Sequence, residues 1–234
     1  MAEEDRLLQT EVREERPRSA LSYNRSPDLP FDRSVNPYRG CEHGCVYCFA
    51  RPSHAYLGLS PGLDFETKLI AKTNAADILE EQLSRRGYQC APINLGSNTD
   101  PYQPIEREYK ITRQTLEVLL RYRHPVTIVT KGSLILRDLD LLAELARQRL
   151  VAVMISLTTL DDELKRILEP RAAAPKARLR AIRVMHEAGI PVGVLCSPMI
   201  PMINDMELER LLAAARDAGA QRASYMLLRL PREV

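Results

Sequence analysis

Val126-Thr127-Ile128-Val129-Thr130 and, a helical interval later, Leu150-Val151-Ala152-Val153-Met154-Ile155-Ser156-Leu157 decide the fold class of this chain. Both are apolar and β-branched with little polar alternation, the pattern of strands covered on both faces. Between them, from about Asp138 to Gln148, apolar residues recur at helical spacing, as a crossover between parallel strands requires. Outward from this βαβ unit the rhythm continues in both directions. Toward the N-terminus lie a helix from about Lys110 to Tyr122, the strand-like Ile93-Asn94-Leu95-Gly96 and a helix from about Ala75 to Arg86. Toward the C-terminus come helices near Asp161 to Leu168 and Pro175 to Ala188, the run Pro191 to Leu195, a helix near Asp205 to Ala218 and a last strand from Arg222 to Leu228. Such units close into a barrel or a doubly wound sheet. The barrel is favoured because the strands end in polar or small residues suited to a site: Gly96-Ser97-Asn98-Thr99-Asp100, Thr130-Lys131-Gly132-Ser133, Ser156-Leu157-Thr158-Thr159 and Cys196-Ser197-Pro198. With a first strand ending near Arg39 and Gly40, the expected architecture is α/β, a partial (β/α)6 TIM-type barrel truncated after its sixth strand.

The bulk properties permit such a core. The chain has 234 residues, 45% of them hydrophobic, and a net charge of only +2, which neither demands nor excludes a polyanionic partner. No segment approaches the roughly 18 uncharged apolar residues of a membrane helix. The charged start Met1-Ala2-Glu3-Glu4-Asp5-Arg6 does not read as a secretion signal, and five cysteines, an odd number, suit a reducing, cytoplasmic setting. Residues 1–30, rich in Glu and Arg, are expected to form a mobile charged arm with a short helix near Leu7 and Leu8, leaving residues 31–234 as the core barrel. Arg51 to Asp64, broken by Pro52, Gly58, Pro61 and Gly62, reads as an irregular loop lining a site.

Three of the cysteines, Cys41, Cys45 and Cys48, fall within the run Gly40-Cys41-Glu42-His43-Gly44-Cys45-Val46-Tyr47-Cys48-Phe49. Three thiolates are one short of a closed zinc site or of a cubane held by four cysteines, so the spacing suggests a metal centre with an open position. Cys90 and Cys196 read as small buried hydrophobes. The alternative is a non-catalytic zinc-binding or nucleic-acid-binding module in which His43 or His54 closes the set. On the helix near 175 to 188, Lys176, Arg178, Arg180 and Arg183 read as a solvated face, because no aromatics interleave with them.

The spacing Cys-x3-Cys-x2-Cys, with Tyr47 before the last cysteine, resembles the radical S-adenosylmethionine (SAM) superfamily. That resemblance implies a [4Fe-4S] cluster on Cys41, Cys45 and Cys48, SAM chelated at the remaining iron, and one-electron cleavage of SAM to a 5'-deoxyadenosyl radical. It also implies a partial barrel of six strands and an electron donor such as flavodoxin or ferredoxin. Within the superfamily, Gly96-Ser97-Asn98-Thr99-Asp100-Pro101-Tyr102-Gln103-Pro104, Val129-Thr130-Lys131, Ile155-Ser156-Leu157-Thr158 and Gly193-Val194-Leu195-Cys196-Ser197-Pro198-Met199-Ile200-Pro201 resemble spore photoproduct lyase and its DNA repair photolyase relatives. By that likeness Tyr47, Phe49, Thr99, Lys131 and Ser156 are expected to approach SAM, and a DNA lesion is the implied substrate. One departure stands out: Ser97 occupies the place of the lyase's hydrogen-donating cysteine, which puts thymine-dimer lyase activity in doubt.

Overall fold

The computed structural model describes residues 9–27 and 29–231, and within them the strands run in chain order as β1 (Glu11–Glu15), β2 (Leu21–Tyr23), β3 (Arg33–Val35), β4 (Tyr38–Arg39), β5 (Lys68–Lys72), β6 (Ile93–Leu95), β7 (Val126–Thr130), β8 (Val151–Ser156), β9 (Val192–Met199) and β10 (Arg222–Leu227). The helices are α1 (Asp64–Thr67), α2 (Ala75–Ser84), α3 (Glu106–Tyr109), α4 (Ile111–Arg121), α5 (Leu139–Arg147), α6 (Asp162–Leu168), α7 (Pro175–Glu187) and α8 (Leu208–Asp217).

Seven strands form one open sheet in the order β10-β9-β8-β7-β6-β3-β2. From β3 to β10 every neighbour is parallel, and β2 alone runs antiparallel to β3. The six parallel strands are the partial barrel expected from the sequence, with crossover helices on one side. In β7, Val126, Ile128 and Thr130 are buried while Thr127 and Val129 are half-buried. One face therefore packs under helices and the other is partly open. Leu116 and Leu119 of α4, Leu142 and Leu145 of α5, Ile182 and Met185 of α7 and Leu211 of α8 are fully buried in the same core as Leu95, Ile128 and Val153. Each such side chain contributes roughly 1.5–3 kcal/mol of transfer free energy.

The N-terminal third departs from expectation. The first parallel strand is Arg33–Val35; Tyr38 and Arg39 belong instead to a separate three-stranded sheet, β1-β5-β4, in which β4 pairs antiparallel with β5. Pro37 separates the two segments, has no N–H for a ladder, and accepts through its carbonyl from Lys72 N at 3.0 Å. Residues 11–15 and 21–23, within the stretch expected to be an arm, are strands: β1 runs parallel to β5, and the backbone N–H groups of Ala20 and Leu21 both donate to Gln82 Oε1, at 3.0 and 3.2 Å. The many charges of β1 are those of an edge strand, whose apolar anchor is Val12 against Tyr38 and Leu69. The helix expected at Leu7 and Leu8 lies outside the described residues. The segment 51–64 is not wholly irregular, since Arg51–Leu57 winds into 3₁₀ turns before α1 and the unexpected β5. Cys196 is fully buried, but Cys90 is exposed, in a polar loop before β6 rather than in the core.

Candidate functional site

The cysteine run leaves β4 and crosses the C-terminal rim of the parallel sheet, where it is fastened from several sides. Cys41 N donates to Phe65 O at 2.9 Å, Val46 N to Leu168 O at 3.0 Å, and Arg171 N to His43 O at 3.2 Å. Glu42 ties the loop to the turn after β6: its N–H donates to Gln103 Oε1 at 2.9 Å and its carboxylate accepts from Ile105 N at 2.8 Å, while Gln103 Nε2 donates to Gly40 O at 3.1 Å. The buried Arg51 guanidinium donates twice to Cys45 O, at 3.1 and 3.0 Å, and pairs with Glu66 at 3.2 Å; Arg171 pairs with the other Glu66 oxygen. Gly44 has φ +64, and a Cβ there would run into the Arg171 guanidinium and the Glu66 carboxylate. The loop thus needs glycine both for its backbone conformation and for the ion pair that closes over it.

The three thiols are free, with Cys41 and Cys45 buried and Cys48 partly so. Burial raises all three: Cys45 is pushed up to about 12, Lys131 working against the rise and Glu169 with it. Cys41 stands well above the usual thiol range, first by burial and then by the charge of Asp100, and Cys48 is raised chiefly by burial. Binding a cluster would require these thiols as thiolates, whose charge the bound metal would stabilise. Among the described residues no three or more His, Cys, Asp or Glu side chains are arranged to hold one metal ion. A cubane asks for one thiolate per iron rather than convergence on a point, so this donor set fits a cluster. Of the histidines that would close a zinc site, each has an Nδ1 without a hydrogen-bond partner among the described residues. His54 Nε2 lies 2.9 Å from Lys68 O, and His43 Nδ1 lies 3.3 Å from Asp100 Oδ2, though not aligned as a hydrogen bond.

Beside the loop is a buried charge cluster that local sequence did not reveal. The Tyr47 hydroxyl donates to Glu169 Oε1, which also accepts from Thr158 Oγ1 at 2.9 Å, while the other Glu169 oxygen pairs with Arg178. Arg178 is 1% exposed and donates to Ser156 O at 3.0 Å, so it is not part of a solvated basic face. Burial alone would raise Glu169; Arg178 and Lys131, with hydrogen bonds from Arg178 and Tyr47, outweigh it and hold the carboxyl at about 2. The Lys131 ammonium lies 5.8 Å from the Tyr47 ring centroid, and although burial opposes its charge, Cys45 and Glu169 raise its pKa. Its backbone N–H donates to Asp100 Oδ2 at 2.7 Å, and Thr130 Oγ1 donates to Asp100 Oδ1 at 2.6 Å. Asp100 is held at about 2: burial opposes this, but His43 and these donors prevail.

Of the residues expected around SAM, the structure brings Tyr47, Lys131 and Ser156 together through Glu169 and Arg178. The other two have other partners. Thr99 is buried with its hydroxyl donating to Tyr38 O at 3.0 Å, and Phe49, 64% exposed, lines a neighbouring cavity with Ser97 and Asn98. Ser97 Oγ donates to Asn36 Oδ1 at 3.2 Å. Glu66, Glu169 and Arg171 escaped the sequence reading, and Gln103 entered it only within the quoted stretch from Gly96 to Pro104, with no role assigned; for Glu169 and Arg171 the local signal was the polar Glu169-Pro170-Arg171 at the end of α6.

An open, mostly parallel α/β sheet with a three-cysteine loop across its C-terminal rim defines a class of metal-dependent enzymes. The chain belongs to the radical SAM superfamily, whose model matches residues 35–215. Membership implies an enzyme that uses SAM and an iron-sulfur cluster, and Cys41, Cys45 and Cys48 would hold the latter. The chain is 43% identical over 194 residues to an uncharacterized protein of Mycobacterium tuberculosis, covering 82% of this chain and 57% of that protein. It is 27% identical over 172 residues to a radical SAM Nalpha-GlyT isomerase of Pseudomonas phage M6, covering 72% of this chain and 33% of the isomerase. Among solved structures it is similar to a spore photoproduct lyase variant with bound AdoMet and dinucleoside spore photoproduct, with a TM-score of 0.70, 14% identity, and 94% of this chain and 63% of the lyase covered. The chain therefore spans 57% of the length of the mycobacterial relative, and the lyase likeness is one of fold.

Proposed function

We propose that this chain carries the catalytic core of a cytoplasmic radical SAM enzyme acting on nucleic acid by a reaction other than thymine-dimer lysis. The cluster and SAM, when bound, supply reductive cleavage of the C5'–S bond, in which one electron from a flavodoxin- or ferredoxin-type donor yields methionine and a 5'-deoxyadenosyl radical that takes a hydrogen atom from substrate. The residues of the chain hold and shield that chemistry. The cysteine loop, clamped by Arg51, Arg171 and Glu66, presents three thiols and no fourth. Lys131 provides a positive charge beside the Tyr47 ring, where a carboxylate and an adenine would both find complementary groups. The Glu169–Arg178 pair holds Tyr47 by its hydroxyl and so fixes the ring.

The observation that carries the reading is the open three-thiol loop with Lys131 and Tyr47 beside it. A nucleic-acid substrate is favoured by the likeness in fold to spore photoproduct lyase, whose structure holds a dinucleoside spore photoproduct. Ser97 supports a different outcome from the lyase, because a serine O–H is a far poorer hydrogen-atom donor than a thiol. The test is anaerobic reconstitution, reduction, and incubation with SAM. Methionine and 5'-deoxyadenosine are expected in equal amounts, and a fully loaded, reduced protein that forms neither would overturn the assignment. Adding unmodified or ultraviolet-treated DNA then tests the substrate class, with consumption of a base or lesion expected in one of the two.

A further inference from the structure

A cavity of about 430 Å3 lies next to the cysteine loop, lined by residues of β2, β3, β4 and β5 together with Phe49, Ser97 and Asn98. Its volume falls in the range of roughly 300–1,000 Å3 typical of small-molecule sites. No Asp or Glu is among the described residues that line it, whereas Arg39 and Lys72 both do. The acid facing these cations is Glu15, set opposite Lys72 in the β1–β5 register and 3.4 Å from Arg39 Nε, an approach not aligned as a hydrogen bond. Lys72 Nζ donates to Asn36 O at 2.9 Å, and an ammonium has two further N–H groups to give. Two cations thus share one carboxylate. Burial first, and then Arg39, bring the Lys72 pKa down to about 8, with Glu15 only partly offsetting them. An anion entering the cavity would face both cations.

The cavity also has planar surfaces. Phe49 is 64% exposed and Tyr23 63% exposed, and both line the cavity; the Arg33 guanidinium lies over one face of the Tyr23 ring, 5.6 Å from its centroid. Aromatic faces next to paired cations match a ligand that joins a planar ring to a phosphate. We propose that this cavity binds a nucleotide unit, its phosphate held by Arg39 and Lys72 and its base against the rings of Phe49 and Tyr23. The inference rests on the reading of the rim as the place where a nucleic-acid substrate meets the cofactor, and it adds the site that grips the substrate's backbone. Ser97 and Asn98 lie in the same lining and connect the cavity with the rim.

The test is calorimetric titration of the reconstituted protein, without SAM or reductant, using thymidine 5'-monophosphate, thymidine and inorganic phosphate. The monophosphate should bind at least about ten-fold more tightly than either of the others, since a charge-assisted contact and a stacked ring are each worth that much. Lys72→Met and, independently, the half-exposed Arg39→Gln should each weaken the monophosphate on the order of ten-fold and leave thymidine unchanged. Phe49→Ala should weaken monophosphate and thymidine alike. Iron content and far-ultraviolet circular dichroism serve to show that each variant is folded and loaded. Equal affinity for thymidine and its monophosphate, equal affinity for phosphate and the monophosphate, or undiminished binding in both charge variants would overturn the proposal. Because the titration is independent of SAM, loss of binding in protein that forms 5'-deoxyadenosine in the separate turnover assay rejects the cavity alone, and intact binding in protein that forms none there rejects the radical chemistry alone.

Discussion

Glu169 shows at the scale of one residue how the site is held. Its carboxylate joins Tyr47, Thr158 and Arg178, all away from water. Removing its charge strands the Arg178 guanidinium in the core, so Glu169→Gln should destabilise the fold by about 3–5 kcal/mol, whereas Glu169→Gln combined with Arg178→Met should recover most of that loss. Denaturant unfolding of both variants measures it. The pH dependence has a definite sign. The carboxyl is depressed from an ordinary 4.5 to about 2, so its stabilisation is complete above the ordinary value and disappears as pH falls toward about 2. Lys72 has the opposite character. Its pKa in the fold, about 8, lies below the ordinary 10.5, so its charge costs stability at neutral pH and the cost fades as pH rises between these values. Lys72→Met should therefore make the ligand-free protein more stable at pH 7 by on the order of 1–3 kcal/mol, a gain that shrinks in alkaline solution. A cation kept at the expense of stability is what a binding residue looks like.

At the scale of elements, the cysteine loop and its clamps form one unit. Replacing Cys41, Cys45 or Cys48 singly by alanine should abolish stable iron loading, while Cys90→Ser and Cys196→Ala should retain it; iron and sulfide assays of anaerobically purified protein decide this. The same elements show what the sequence could and could not disclose. The strands β7, β8 and β9 were legible because the central strands of a parallel sheet carry long apolar runs, and α4, α5, α7 and α8 because each buries one stripe. The strands β1, β2, β3 and β5 were hidden for the converse reason: at three to five residues, with no sustained apolar run, they take their conformation from partners distant in sequence, while the strand expected near Arg39 is β4, in the smaller sheet. The cysteine spacing was readable since its ligands are local. Glu169 was not, because its bond to Tyr47 spans 122 residues, nor was Arg178, which shares a helix with outward basic residues yet turns inward to Glu169.

At the scale of the whole molecule, the loop couples metal binding to the stability of the entire rim. It is hydrogen-bonded to Phe65 beside β5, to Leu168 at the end of α6, to Gln103 and Ile105 after β6, and to Arg171 beyond α6. A ligand that binds only the folded loop must stabilise all of these together by mass action. Anaerobically reconstituted protein should thus unfold several degrees above metal-free protein, at roughly 2–4 °C per kcal/mol for a chain of this size. Differential scanning calorimetry can also separate the two readings of the cysteines. If three thiols serve a cubane, iron with sulfide restores the full shift and one equivalent of zinc does not. If the loop were a zinc module closed by His43 or His54, one equivalent of zinc would suffice, His54 Nε2 would have to leave Lys68 O or turn its other nitrogen to the metal, and His43→Ala or His54→Ala would abolish the zinc-dependent shift. His54 Nε2 is held at Lys68 O and His43 Nδ1 lies beside Asp100, which favours the first outcome, in which neither substitution changes the shift that iron and sulfide produce.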